Sequence, residues 1–150
     1  MTANRAVIDP NVLISALLSP SGSPAALIAL WLAGEFELAV SPKLVTELRC
    51  ALSYPKLRSR ITDEEATGFI DLLGRTATRV DDPAMTPGRS RDPGDDYLQA
   101  LAEAAAAILV TRDQDLLDLA MVQVLSPAAF RKKLTLGACL TIPRIGSEFV

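Results

Sequence analysis

Between Arg5 and Leu18 the sequence reads RAVIDPNVLISALL, an apolar run that ends in a carboxylate and turns helical at once. Ala6, Val7 and Ile8 have the composition of a short buried strand, and Pro10 followed by Val12, Leu13, Ala16 and Leu17 has the spacing of a helix. A strand that feeds a helix directly, with an Asp at the junction, leaves few architectures open. The expected one is an α/β fold with Asp9 at the carboxyl edge of a sheet, the edge at which open α/β folds bind ligands.

The alternation continues along the chain. Ser19 to Ser23 is a turn, and Ser23-Pro24 predicts an N-cap followed by proline at the first helical position, with a helix through Leu27, Leu30 and Trp31 to about Ala33 and Gly34 closing it. Phe36 to Val40 reads as a strand. Ser41-Pro42 repeats the cap-plus-proline signal before a helix carrying Leu44, Val45, Leu48 and Leu52, which Tyr54-Pro55 breaks. Thr62 and Glu65 form a capping box for the next helix. A weak strand near Thr78 to Val80 leads to a loop from Asp82 to Gly94, rich in proline and glycine.

From Asp95 the apolar positions Leu98, Leu101, Ala102 and Ala105 mark one helical face, while Asp96, Gln99 and Glu103 share the other. Ala107 to Thr111 is apolar and β-branched enough to be a central strand buried on both faces. Arg112 to Leu119 reads as a short helix or turn and Val122 to Leu125 as an edge strand. Ser126-Pro127 caps a last helix ending in Arg131, Lys132 and Lys133. Residues 1–133 are expected to form a single domain; residues 134–150 break the alternation as a C-terminal tail without an assignable role.

At 150 residues and 49% apolar, the chain has the size and composition of one domain with a sizeable core. No apolar stretch approaches the roughly 20 residues that cross a bilayer, and no basic-then-apolar leader opens the sequence. The expected location is the cytoplasm, with no membrane partner. Cys50 and Cys139 lack metal-ligand spacing. The chain has no histidine, which eliminates Ser-His-Asp and Cys-His nucleophile systems, HExxH zinc sites and C2H2 zinc fingers together. No phosphate-binding glycine loop occurs either, so any catalysis falls to carboxylates.

In a right-handed βα succession, helix N-termini gather at the same edge as strand C-termini. Asp9 ends the first strand, Glu47 lies within two turns of a helix start, Asp95 and Asp96 open their helix, and Asp113 and Asp115 follow the central strand. Each alone also reads as a cap, a turn former or a solvated surface charge. Together they repel: two carboxylates ~5 Å apart do so by roughly 3 kcal/mol at an effective dielectric of ~20. Such a cluster takes up protons or holds a cation. Oxygen ligands without His or Cys point to a hard ion, Mg²⁺ or Mn²⁺, and the matching chemistry is phosphoryl transfer.

The same residues carry a resemblance. Ile8-Asp9-Pro10-Asn11-Val12-Leu13, Ser41-Pro42 with Glu47, Arg91-Asp92-Pro93-Gly94-Asp95-Asp96-Tyr97-Leu98, and Leu109-Val110-Thr111-Arg112-Asp113-Gln114-Asp115-Leu116 resemble, in order and spacing, the successive motifs of the PIN domain family, and most nearly its VapC-like toxin branch. The resemblance covers roughly residues 5 to 133. It implies a three-layer α/β/α sandwich with a mainly parallel central sheet, and a Mg²⁺- or Mn²⁺-dependent endoribonuclease acting on single-stranded or loop RNA, leaving 5′-phosphate and 3′-hydroxyl ends. It also implies a cognate antitoxin and a homodimer. By position, Asp9, Glu47, Asp96 and Asp113 match the family's acids, and Asp115 the auxiliary acid often found two residues later. Asp95 is the alternative neighbour to Asp96; Asn11 and Thr111 are candidates to support the acids.

Where the family usually carries a hydroxyl residue, this chain has Pro10. A catalytically impaired PIN-type module for RNA binding or interaction is therefore one alternative. Another is a haloacid-dehalogenase-like phosphatase, which also places an Asp at the first strand end, although it wants a second acid where Asn11 stands. Lys56, Arg58 and Arg60, and Arg89, Arg91 and Arg112, either flank the acidic rim and track an RNA backbone or are solvated charges; Arg91 and Arg112 are the RNA-binding candidates.

Overall fold

The computed structural model describes residues 4–83, 93–114, 117 and 123–135, with the side chains of 93–96 outside that description. Its strands and helices alternate as β1 (Asn4–Ile8), α1 (Pro10–Leu18), α2 (Ser23–Leu32), β2 (Phe36–Val40), α3 (Pro42–Leu52), α4 (Pro55–Arg58), α5 (Asp63–Thr76), β3 (Thr78–Arg79), α6 (Pro93–Ala105), β4 (Ile108–Val110) and β5 (Val124–Leu125). A further helix runs through residues 127–135.

All strand pairs are parallel, in the order β3-β2-β1-β4-β5. The order reverses direction at β1, whose next neighbour in sequence lies on one side and β4 on the other. Right-handed crossovers then place α1 to α5 on one face and α6 on the opposite one, which is the expected α/β/α sandwich. β4 is interior and wholly buried, as its apolar run predicts, but the middle position belongs to β1.

The register makes the sheet end in a level row. Ala6 pairs with Leu38, Ile8 with Val110, Val110 with Leu125 and Val40 with Arg79. One residue further on, Ser41, Asp9, Thr111 and Ser126 therefore stand side by side beyond the carboxyl edge. Three of them cap helices. Asp9 caps α1, Ser41 caps α3 by accepting from the N–H of Leu44, and Ser126 accepts from the N–H of Ala129 at 3.1 Å. Proline follows each cap at a position whose N–H would otherwise lack a partner, so it costs no hydrogen bond.

Several local expectations need correction. Gly22 is the N-cap of α2 and Ser23 its first residue, with no side-chain cap bond. The chain after Tyr54 forms the short α4 rather than a simple break. α6 begins at Pro93, two residues before Asp95. The last helix continues past Lys133, and Leu134 belongs to the core. Gln99, expected on a solvated face, is fully buried, and its amide finds no hydrogen-bond partner among the described residues. The periodicity argument assumes one buried face, whereas Tyr97 through Ala102 are buried all round. Most of the Asp82–Gly94 loop, and residues 136–150, lie outside the described residues.

Below the carboxyl edge the core is continuous. Phe130 of the last helix meets Phe36 of β2 edge-on, with ring centroids 5.0 Å apart at 79°. Thr62 and Glu65 form the predicted capping box of α5, each side chain accepting from the other's N–H. Among the described residues no single helix is long and apolar enough to cross a membrane.

Candidate functional site

The turn from β1 into α1 fixes Asp9 before any other residue of the site. Its own N–H continues the ladder by donating to Val110 O at 2.9 Å, while its carboxylate turns over the start of α1. Oδ1 accepts the N–H of Asn11 at 2.9 Å, and Oδ2 accepts the hydroxyl of Thr111 at 2.8 Å. The N-terminal end of α1 favours a negative charge at this point. Pro10 takes no part, because the first N–H that Asp9 needs belongs to Asn11.

Asp9 is 8% exposed. Burial raises its pKa above that of an ordinary aspartate, the bonds from Asn11 and Thr111 pull it back, and the Asp113 carboxylate pushes it up again, leaving a net rise. Asp9 and Asp113 therefore sense each other electrostatically. Thr111 links them physically as well: while its hydroxyl donates to Asp9, its oxygen accepts the N–H of Asp113 at 3.0 Å.

A cleft of about 600 Å³ opens over this junction, with Asp9, Asn11, Glu47, Arg112 and Asp113 in its wall. It lies where the sheet order reverses between β1 and β4, the place at which open α/β sheets bind ligands. Glu47, on the exposed side of α3, reaches this cleft from across the sheet edge. Arg112 sits on its rim and donates to the Ser15 hydroxyl at 3.1 Å.

Of the residues expected at the site, the structure thus gathers Asp9, Asn11, Glu47, Thr111, Arg112 and Asp113. The side chains of Asp95 and Asp96, which fall in the first turn of α6, and the whole of Arg91 and Asp115 lie outside the described residues. Within the described set no three carboxylates converge closely enough to hold an ion. The donor chemistry nevertheless suits a hard cation: the acids are oxygen-only, one is desolvated, and the Thr111 hydroxyl ties its carboxylate to the main-chain N–H of a second.

Sequence reasoning missed a second group beside the cleft. Tyr97 is buried, its hydroxyl bonds to the Ser41 hydroxyl, and it donates to Asp82 Oδ1 at 2.8 Å. Asp82 also accepts the N–H of Lys43 at 3.2 Å, and the Lys43 ammonium lies 4.3 Å from the centre of the Tyr97 ring. Desolvation acts first to raise the Tyr97 phenol, and the charges of Asp82 and Glu47 add to it. Burial opposes the charge on Asp82, but bonds from Ser41, Tyr97 and the Lys43 N–H, with the Lys43 charge, hold it below the usual carboxylate range. The Ser41-Pro42 cap was legible; its tie to a tyrosine 56 residues away was not.

Strand order, switch point and acid-lined cleft together define the class: a parallel α/β domain carrying a carboxylate site at the sheet's carboxyl edge. The PIN domain family profile matches residues 5–115, and the chain belongs to the PIN domain family, a family of nucleases. An uncharacterised protein of Methanocaldococcus jannaschii, MJ1680, is 30% identical over 115 residues, spanning 77% of this chain and 74% of the relative. PAE2754 from Pyrobaculum aerophilum superposes with a TM-score of 0.65 at 17% identity, covering 89% of this chain and 90% of that one. VapBC2 from Rickettsia felis, solved bound to a DNA fragment from their promoter, matches with a TM-score of 0.56 at 16% identity over 80% of this chain and 96% of the matched chain. These two structural likenesses bear on the fold alone. Family membership removes the haloacid-dehalogenase-like reading.

Proposed function

We propose that the protein is a Mg²⁺- or Mn²⁺-dependent endoribonuclease that hydrolyses phosphodiester bonds of single-stranded or loop RNA, acting as the toxin of a toxin-antitoxin pair. The observation that carries this reading is the junction of Asp9, Thr111 and Asp113 at the switch point, inside a cleft that also takes in Glu47. A desolvated carboxylate coupled to a second one is a costly arrangement in the absence of a cation.

In this reading Asp9, Asp96 and Asp113, with Asp115, would hold the ion, and Asp95 is the alternative to Asp96. Mg²⁺ or Mn²⁺ there would supply a Lewis acid for displacement at phosphorus. Glu47 orients the attacking water, Thr111 and the Asn11 N–H keep Asp9 aligned, and Arg112, with Arg91, draws the RNA phosphate to the rim. Oxygen ligands throughout disfavour zinc. The catalytic unit is the single domain whose core extends to Leu134. An antitoxin partner, a homodimer and a cytoplasmic location follow from the VapC-like resemblance and belong to the same proposal.

The test is cleavage of a panel of structured and unstructured RNAs in Mg²⁺, Mn²⁺ or EDTA, with the product ends mapped. Cleavage that needs the metal, leaves 5′-phosphate and 3′-hydroxyl ends and disappears in Asp96→Asn supports the reading. Undiminished cleavage by Asp96→Asn, or full activity in EDTA, refutes it. The interaction-module alternative predicts no cleavage and no Mn²⁺ uptake at millimolar concentration. The geometry of Pro10 weakens it, because Asp9 keeps both of its bonds without help from that position.

A further inference from the structure

The acids of the site stand on elements that reach the cleft from both faces of the sheet. Asp9 and Asp113 are tied through Thr111, but Glu47 on α3 and Asp96 on α6 belong to helices on opposite faces, and register cannot align them. A different connection joins those two helices. Tyr97, the residue after Asp96, reaches from α6 to Ser41, the cap of α3.

The bonds form a closed network between α3, Tyr97 and Asp82. The N–H of Leu44 donates to Ser41 Oγ, Tyr97 and Ser41 share a hydroxyl–hydroxyl bond, and Tyr97 donates to Asp82, whose carboxylate returns to α3 through the N–H of Lys43. Pro42 has no N–H, and the N–H of Val45 bonds the Ser41 carbonyl. The first-turn donors of α3 are thus all satisfied, and the phenol is built into that cap. The Lys43 ammonium over the ring closes the tie from a second direction. A bond to a carboxylate is stronger than an ordinary neutral bond, and the aromatic–cation contact adds to it.

We propose that Tyr97 is a positioning residue: its hydroxyl locks the first turn of α6 to the cap of α3 and so sets Asp96 relative to Glu47 across the cleft. This rests on the proposed roles of Asp96 as a metal ligand and of Glu47 as the acid that orients water. It goes beyond it in naming the residue that couples the two helices, a function that a core phenylalanine at the same place would not supply.

Two measurements on the full chain test it: amide hydrogen exchange across residues 93–98 without metal, and Mn²⁺ titration by calorimetry. Tyr97→Phe keeps the ring and its packing, and should speed exchange in that turn and weaken Mn²⁺ binding about tenfold, the low end of what loss of a ligand-orienting partner costs. Asp82→Ala, at an exposed position, cuts the network from its other end and should act in the same direction; the double variant should be no worse than the more impaired single one. Unchanged exchange in Tyr97→Phe overturns the lock. Faster exchange with wild-type Mn²⁺ affinity overturns the positioning role. A wild-type protein that takes up no Mn²⁺ overturns the metal site together with this role, and shows itself before any variant is compared.

Discussion

The Thr111 hydroxyl has one proton to give and lone pairs to share, and the site commits the proton to Asp9 and a lone pair to the backbone of Asp113. Asp9 is the group with most to lose from its place. Its pKa is raised by burial above 3.8, so the folded state binds a proton more tightly than the unfolded chain does. By linkage, stability contributed by this residue is greatest below that value and declines as pH rises through the raised one. Asp9→Asn removes the charge and keeps an acceptor for the Asn11 N–H, while Thr111 can turn its proton away. The variant should melt at or above the wild-type temperature at neutral pH and lose that advantage below about pH 4. Added Mn²⁺ should raise the melting temperature of the wild type and leave the variant where it is. Thermal melts across pH, with and without Mn²⁺, check both outcomes.

At the scale of elements, caps decide where helices start, and caps were the most legible feature of the chain. Asp9-Pro10, Ser41-Pro42 and Ser126-Pro127 are local signals, each contained in a few residues, and the structure uses all three at one sheet edge. The Thr62–Glu65 box is equally local. Thr62→Ala should cost about 1 kcal/mol and lower the melting temperature by a few degrees without touching Mn²⁺ affinity, as read by calorimetry on the same sample. Less local features escaped. Four residues of α4 behind a proline resemble a plain break, and Gly22 replaces Ser23 as cap because backbone conformation, not side-chain chemistry, ends that turn. Gln99 misled because Tyr97–Ala102 of α6 is buried on every side, and the solvated face that polarity marks opens only at Glu103. The Ser41–Tyr97–Asp82 network spans two loops, and no periodicity reports a bond between residues so far apart.

At the scale of the molecule, the sheet order holds the cleft open and the last helix closes the core beneath it. Phe130 is fully buried against Phe36 of β2, so Phe130→Ala removes an aromatic pair and leaves a cavity. A loss of about 3–5 kcal/mol is expected, measurable as a lower denaturant midpoint. The placement of β1 at the centre of the sheet also sets a schedule. Asp9 is made early, yet the hydroxyl that bonds it lies 102 residues later, and β4, which flanks it, is made only just before. At about 5–20 residues per second, a chain leaving the ribosome carries Asp9 for roughly 5–20 s before that partner has been synthesised. The site is therefore absent from every nascent chain that ends before β4, and a nuclease built this way is inert for most of its own synthesis.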